Sequence, residues 1–213
     1  MDQIEYWNRV SEEKEFTTPF QETEFSRYVR KDARIADIGC GYGRTLDQLH
    51  RLGYTDLIGF DFSAGMIRRG KRLFPELDLR INDPSRIELP DNSVDAVILF
   101  AVLTCIPEDS DQEALLAEIR RILRPDGTLY VNDFLLNDDA RNLQRYERFA
   151  EQYGCYGVFE LPEGAVLRHF RQERILSLLH DFSVKEFEPL VFTTMNGNRS
   201  NGFYLIGTKK STA

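Results

Sequence analysis

The sequence predicts an α/β fold: a seven-stranded, mostly parallel, doubly wound sheet with an antiparallel C-terminal hairpin and helices on both faces. Three observations lead to this prediction. Apolar strand-like segments and helical segments follow one another along the chain. A glycine-rich turn follows the first apolar segment, and an Asn-Gly pair separates the last two. The 213 residues are a suitable length for one domain with one core.

The first strand, 34–38, is followed by the turn Gly39-Cys40-Gly41-Tyr42-Gly43 and a helix at about 44–51. Open α/β sheets bind ligands at the carboxyl ends of their strands, and glycines let a ligand lie against the backbone. Asp37 lies two residues before Gly39, where its charge would repel a pyrophosphate but attract a cationic amino-acid head. A dinucleotide fingerprint would also need a glycine where this chain has Arg44.

The second strand, 57–60, ends at Asp61, whose ionised carboxylate can accept both hydroxyls of a ribose. Ser63 follows as the predicted cap of a helix that includes Met66. Each strand so far therefore ends with an acid that suits part of a nucleoside-like ligand.

The third strand, 79–83, ends in Asp83 and is followed by Pro84. Local chemistry alone favours a turn role for an Asp before a Pro. Its position after two strands that both end in acids, Asp37 and Asp61, favours a binding role instead. Three acids at successive strand ends are a far more specific pattern than one.

The remaining elements are predicted in chain order. They are a buried strand at 94–100, a loop at 101–107, a helix at 108–123, a Pro-Asp-Gly turn into a strand at 123–131, a helix at 170–180, and strands at 184–194 and 202–208. A flavodoxin-like sheet is the alternative architecture, but it would not end in a hairpin.

The run from Asp37 to Gly43 resembles the D-x-G-x-G-x-G motif of Rossmann-like, class I S-adenosylmethionine-dependent methyltransferases. Gly59-Phe60-Asp61-Phe62-Ser63 resembles their second motif, and the Pro-Asp-Gly turn resembles their entry to strand five, with Asp126 replacing a glycine. The specific resemblance covers about residues 34–133. It implies methyl transfer from S-adenosyl-L-methionine to a small-molecule acceptor by in-line displacement, with S-adenosyl-L-homocysteine as the product.

The resemblance also implies the cofactor site. Asp37 would serve the amino group of the cofactor, Asp61 its ribose and Asp83 its adenine amine, while Phe62 and Met66 would wall the adenine. The implied cofactor-binding residues are Asp37, Gly39, Cys40, Gly41, Arg44, Asp61, Phe62, Met66, Asp83, Pro84 and Phe100.

The single domain, 1–213, is expected to have four parts. They are an N-terminal helical segment that covers cofactor and substrate (1–32), the cofactor-binding core (33–133), a lid-like insertion (134–169), and a C-terminal helix and hairpin (170–213). An aromatic, arginine-containing insertion on an acidic protein suggests a small, partly apolar, anionic substrate, sequestered from water. The candidate substrate residues are Tyr6, Trp7, Thr104, Tyr146, Tyr153 and His169.

Several of these residues have a competing structural interpretation. For Trp7 and Phe16, facing the cofactor's sulfonium and packing on the sheet are equally favoured. The tyrosines of the insertion are more typical of lid packing, and His169 is more typical of a local hydrogen-bonding residue than of a general base. No nucleophile and base are recognisable as a pair, so no catalytic residue is assigned.

The composition limits the kinds of partner that this protein is expected to bind. A net charge of -8 disfavours nucleic acid, whose binding depends on neutralising phosphates. No apolar stretch approaches the roughly 20 residues that cross a bilayer. The N-terminus has no secretory signal, and three unpaired cysteines indicate a reducing, cytoplasmic location. The histidines are isolated and the cysteines lack metal-ligand spacing, so no metal is expected. The expected partner is therefore a small molecule, and the oligomeric state is left open.

Two other functions share parts of this pattern. A nicotinamide-dependent oxidoreductase would use the same sheet and Asp61, but Asp37 and Arg44 oppose it. A non-catalytic S-adenosylmethionine-binding module would keep every cofactor motif, because these motifs report binding rather than turnover.

Overall fold

The computed structural model describes residues 3–83 and 86–211, and in this part of the chain nine strands and seven α-helices are present. The strands are β1 (Arg34–Ile38), β2 (Asp56–Asp61), β3 (Asp78–Ile81), β4 (Val94–Phe100), β5 (Leu123–Phe134), β6 (Val158–Glu160), β7 (Val166–Arg168), β8 (Phe182–Thr193) and β9 (Arg199–Lys209). The helices are α1 (Gln3–Arg9), α2 (Glu22–Tyr28), α3 (Arg44–Arg51), α4 (Ala64–Leu73), α5 (Asp109–Ile122), α6 (Ala140–Tyr153) and α7 (Gln172–Leu178).

Seven of the strands form one sheet in the order β3-β2-β1-β4-β5-β9-β8. The first five pair in parallel, and β9 is antiparallel to both of its neighbours. The strand order reverses between β1 and β4, which is where such sheets form a ligand crevice. The predicted fold class is confirmed, including the terminal hairpin.

The strands are buried on both faces because helices cover both. In β4, Val97 and Leu99 face the core that α5 and α7 complete, whereas Ala96 and Ile98 face the core of α2, α3 and α4. This two-sided burial explains why β4 reads as a continuous apolar run instead of an alternating one.

The predicted turns are present, although several element ends differ. Val94 pairs with Leu123 and Ala96 pairs with Thr128, so residues 124–127 loop out within β5, and Asp126 adopts a left-handed conformation. The Asn-Gly hairpin joins β8 to β9 as predicted. The third strand ends at Ile81, two residues before Asp83, and α7 is shorter than the predicted helix because Phe170 bridges to Leu135.

The insertion after β5 contains α6 and the separate β6–β7 hairpin, and it has a small core of its own around Tyr146, Phe149 and Phe159. Tyr6 of α1 and Val10, which follows this helix, pack on the hairpin. The N-terminal segment and the insertion therefore meet above the sheet. Within the described ranges, no helix is long and apolar enough to cross a membrane.

Candidate cofactor and acceptor site

The glycine turn is fastened to the end of β2. The amides of Gly39 and Cys40 both donate to the carbonyl of Phe60, at 2.7 and 3.0 Å. Gly39 and Gly41 have φ of +74° and +56°, which side chains larger than hydrogen adopt with strain. A Cβ on Gly41 would lie 2.4 Å from the ring of Phe16. The turn thus needs glycine both for its conformation and for the close approach of the N-terminal segment.

Asp61 is oriented by two backbone amides. Gly41 donates to Oδ2 and Ser63 donates to Oδ1, each at 2.8 Å. Burial raises the pKa of Asp61 to about 6, and these two hydrogen bonds oppose that shift. Each carboxylate oxygen can accept a further hydrogen bond, so the group can receive two vicinal hydroxyls from the cavity that it lines.

Asp37 is fully buried, and its Oδ1 has no hydrogen-bond partner among the described residues. Burial raises the pKa of Asp37 to about 7; the negative charge of Asp61 adds to the rise, and Arg44 opposes it. A buried carboxylate oxygen without a partner is costly unless a cationic ligand satisfies it. Its position on the cavity wall therefore fits the ammonium group of an amino acid.

Arg44 begins α3 and lines the same cavity. Its guanidinium carbon lies 5.3 Å from the centroid of the Phe100 ring, and its Nε has no described hydrogen-bond partner. A carboxylate and a guanidinium on one wall complement a zwitterionic amino-acid head. Together with Asp61, these residues fit S-adenosylmethionine, which carries such a head at one end and a ribose towards the other.

Asp133 fixes the loop that follows β4. Its buried carboxylate accepts the amides of Thr104 at 3.2 Å and Phe134 at 2.8 Å, and burial raises its pKa to about 7. The Thr104 hydroxyl donates to the carbonyl of Arg168 at 2.8 Å. The cavity wall at Thr104 is thereby joined to the end of β7.

The cavity brings together most of the residues that the sequence predicted. Those on its wall are Asp37, Gly39, Cys40, Gly41, Arg44, Asp61, Phe62, Met66 and Phe100 from the cofactor set, and Tyr6, Trp7, Thr104 and His169 from the substrate set. Asp83, Tyr146 and Tyr153 are not among its described lining residues. Asp83 is exposed, and Pro84 lies outside the described residues. The individual binding roles stay predictions.

Tyr146 and His169 form a buried pair, in which His169 lies on the cavity wall and Tyr146 lies behind it. Tyr146 Oη lies 2.6 Å from His169 Nδ1, and the amide of Asn137 donates to the same hydroxyl at 3.3 Å. Burial, with the charges of Arg145 and Arg141, lowers the pKa of His169 well below its ordinary value. The imidazole is neutral at pH 7. Tyr153 instead bonds Glu160 within the insertion.

Trp7 and Phe16 line the cavity, and neither belongs to the cores on the sheet. Phe16 stacks on Tyr42 of the glycine turn with a centroid distance of 4.9 Å, and Trp7 meets Phe16 edge-on at 6.3 Å. Trp7 also packs against the small core of Tyr6, Val10 and Ala165. That these rings face a ligand therefore stays a prediction.

Other lining residues are not among the candidate site residues from the sequence, because chain segments far apart bring them to the cavity. They are Thr17, Thr18 and Thr45; Ala101, Val102 and Cys105; Phe134, Arg141, Arg145, Phe159, Leu161, Ala165 and Leu167; and Thr194, Met195, Asn196, Asn198 and Ser200. The last group follows β8, so the terminal hairpin contributes to the cavity wall. Across residues 3–83 and 86–211, no cluster of three or more histidine, cysteine or acidic residues is arranged for a metal.

Comparison with known proteins agrees with this geometry. Residues 36–131 match the family described as "Methyltransferase domain". A demethylmenaquinone methyltransferase of Renibacterium salmoninarum is 34% identical over 101 residues, which are 47% of this chain and 41% of that enzyme. The chain thus matches less than half of that relative's length.

Two solved structures have the same fold. A SAM-dependent methyltransferase of Methanosarcina mazei has a TM-score of 0.86 at 24% identity, over 92% of this chain and all of that one. The 1,6-didemethyltoxoflavin-N1-methyltransferase of Burkholderia thailandensis, solved with 1,6-didemethyltoxoflavin and S-adenosylhomocysteine, has a TM-score of 0.66 at 14% identity, over 89% and 76% of the two chains.

Proposed function

We propose that this chain belongs to the class I S-adenosylmethionine-dependent methyltransferase superfamily and transfers a methyl group from S-adenosylmethionine to a small-molecule acceptor. The observation that carries the proposal is the unpartnered oxygen of Asp37 beside Arg44, with the oriented carboxylate of Asp61 on the same cavity wall. A zwitterionic head and a ribose diol satisfy all three groups at once.

The residues then have separate roles. Asp37 holds the cofactor's amino group, Arg44 its carboxylate and Asp61 its ribose, while Phe62 and Met66 pack on the adenine. Bound S-adenosylmethionine supplies the electrophilic methyl group. The chain contributes orientation and the exclusion of water, which suffice when the cofactor carries the reactive centre.

The acceptor side is formed by the N-terminal segment and the insertion, so the four-part division of the domain also has a functional meaning. The core 33–133 holds the cofactor, and segments 1–32 and 134–169 enclose the acceptor, with help from the turn after β8. The relative named for demethylmenaquinone and the neighbour solved with 1,6-didemethyltoxoflavin support a small-molecule acceptor.

His169 and Thr104 position the acceptor and do not activate it as bases. His169 is neutral and engaged through Nδ1, and the Thr104 hydroxyl hydrogen is used by Arg168. The acceptor atom is therefore one that is nucleophilic without a strong protein base, such as a phenolate or a thiolate.

Binding titration tests the cofactor. In calorimetry with S-adenosylmethionine, S-adenosylhomocysteine and NAD(H), we expect the first two to bind and the dinucleotide to fail, because a pyrophosphate would meet Asp37. Preferential binding of NAD(H) would establish the oxidoreductase instead.

Turnover is tested separately. Cell extract is incubated with the protein and a methyl-labelled donor, and mass spectrometry identifies labelled metabolites. The heat-inactivated protein is the control. Tight cofactor binding with no labelled product would favour a non-catalytic binding module.

A further inference from the structure

We propose that the acceptor carries a carboxylate on an aromatic or similarly flat apolar body, and that Arg145, Arg141 and the Nε2–H of His169 bind this carboxylate. This inference rests on the proposed function, since it names the substrate class of the same cavity.

Charge is divided across the cavity. The described acidic residues on its wall, Asp37 and Asp61, lie at the glycine turn, where the cofactor's ammonium and ribose are expected. The insertion contributes two cationic residues, Arg141 and Arg145, and no described acid of the insertion lines the cavity. The acceptor half is therefore positively charged in a protein whose net charge is -8.

Arg145 is held without a counterion. Its guanidinium carbon lies 3.6 Å from the centroid of the Phe159 ring, and its buried Nε has no hydrogen-bond partner among the described residues. It forms no ion pair in the described part of the chain, whereas Arg141 has only a long contact of 3.8 Å to Asp139. Guanidinium groups fixed on a ring with free N–H donors suit a planar carboxylate.

The two arginines are four residues apart on α6, so they share one face of the helix. Burial lowers the pKa of Arg145, and the like charge of Arg141 at this spacing adds to the decrease. An anion bound between them would remove the repulsion. The two neighbouring arginines are therefore unfavourable in the free protein and become favourable when a carboxylate ligand binds between them.

The neighbours of His169 fix its tautomer. Asn137 Nδ2 lies 3.3 Å from Nδ1, but its two hydrogens have nearer acceptors in the Leu135 carbonyl and the Ser200 hydroxyl, each at 3.0 Å. The Tyr146 contact therefore decides the tautomer: Tyr146 Oη already accepts from the backbone amide of Asn137, so its hydrogen is available for Nδ1. Nδ1 is therefore the acceptor, and the hydrogen of the neutral ring is on Nε2.

A neutral imidazole with its hydrogen on Nε2 is a hydrogen-bond donor and not a base. Since Nδ1 is engaged inside the insertion, Nε2 is the ring nitrogen left for the cavity that His169 lines. It adds a third donor to those of the arginines. Phe134 stacks on the imidazole at 5.4 Å, and Phe159 meets it edge-on at 4.9 Å. A flat apolar body attached to the carboxylate would pack against these rings.

The test uses matched carboxylic acids and primary amides: 4-hydroxybenzoate, salicylate and phenylacetate, each with its amide. Binding to the full chain, saturated with S-adenosylhomocysteine, is measured by calorimetry. For at least one pair we expect the acid to bind about tenfold tighter than the amide, or more. The Arg145→Gln variant should lose this preference, and Arg145→Lys should keep part of it because it keeps the charge.

Arg148→Gln is the matched control. Arg148 is an exposed arginine of the same helix, with its guanidinium over Phe149 at 4.9 Å, and it does not line the cavity. This variant should keep the preference for the acid, and thermal unfolding checks that all variants are folded. Acids and amides that bind equally, or acids that do not bind at all, would overturn the inference. Failure of S-adenosylhomocysteine itself to bind would instead overturn the proposed function.

Discussion

At the residue scale, the buried carboxylates of Asp37 and Asp61 link ligand binding to protonation. Burial raises their pKa to about 7 and about 6, from an ordinary value of 3.8. Between pH 4 and 7 these two carboxyl groups therefore bind more protons in the folded free protein than in the unfolded chain. Their contribution to the stability of the free protein falls as the pH rises through this window, because the folded state must give up protons that it holds more tightly.

Replacing Asp37 by Asn should reduce this dependence, because the amide keeps the shape of the side chain and does not ionise. We expect the unfolding temperature of the free Asp37→Asn variant to fall less than that of the wild type between pH 5 and pH 8. Some decrease should remain, since Asp61 and Asp133 are still buried. Scanning calorimetry measures the effect, and Asp78→Asn, an exposed change on β3, should leave the dependence unaltered.

A cationic ligand at Asp37 favours the ionised carboxylate, so binding of S-adenosylhomocysteine below pH 7 should release protons. Calorimetric titrations at pH 6 in two buffers with different ionisation enthalpies count these protons. The wild type should release more than the Asp37→Asn variant. Equal release by the two proteins would mean that the ligand's ammonium does not contact this carboxylate.

Asp61 provides a second prediction at this scale. The Asp61→Ala change should weaken S-adenosylhomocysteine binding by about 1–3 kcal/mol, the range for hydroxyls that lose a charged partner. Asp56→Ala, at the exposed start of the same strand, is the control and should bind normally. Unchanged affinity in a folded Asp61→Ala protein would remove Asp61 from the ribose site.

At the element scale, α6 and the residue that follows β7 are connected through the Tyr146–His169 contact. Removing the hydroxyl in Tyr146→Phe leaves His169 Nδ1 without its 2.6 Å partner. We expect acceptor KM to rise severalfold while affinity for S-adenosylhomocysteine stays unchanged, because the cofactor residues lie on other elements. Tyr153→Phe, in the same helix but bonded to Glu160, should change neither. A parallel loss of cofactor affinity in Tyr146→Phe would place this pair in the cofactor site.

Elements also differ in how well their sequence predicts them. The strands that end in Asp37 and Asp61 were predictable, because local patterns specify a buried strand and a glycine turn. Arg141 was not, since an arginine on a helix is usually solvated, and only the position of α6 places this exposed side chain at the rim of the cavity. The position of the turn after β8 on the cavity wall was also not predictable. An Asn-Gly pair predicts a hairpin, but it does not show which other segments the hairpin will contact.

At the scale of the whole molecule, polar contacts join three distant segments over the cavity. Thr17 Oγ1 donates to the carbonyl of Thr193 at 2.7 Å, and Lys14 Nζ lies 3.4 Å from both Glu163 Oε1 and Asn196 Oδ1. The segment is also tied to α4, where Arg69 Nη1 donates to the carbonyls of Ser11 at 2.9 Å and Lys14 at 2.7 Å. The contacts to the two turns are partly exposed, so they open more readily than the core of the sheet.

Ligand binding should therefore protect the N-terminal segment from proteolysis. Saturating S-adenosylhomocysteine should slow tryptic cleavage after Lys14 severalfold, because the ligand packs against the adjoining glycine turn. Cleavage after the exposed Lys210 is an internal control and should proceed at its original rate. Mass spectrometry follows both sites. Unaltered cleavage after Lys14 would show that this segment does not close on the cofactor.

The connection between β8 and β9 places Met195, Asn196 and Asn198 on the cavity wall, although its two strands form the far border of the sheet. Surface loops tolerate substitution and changes in length better than the strands they join. Substitutions in this connection, in evolution or in the laboratory, can therefore change which acceptor is preferred. The residues that bind the methyl donor need not change.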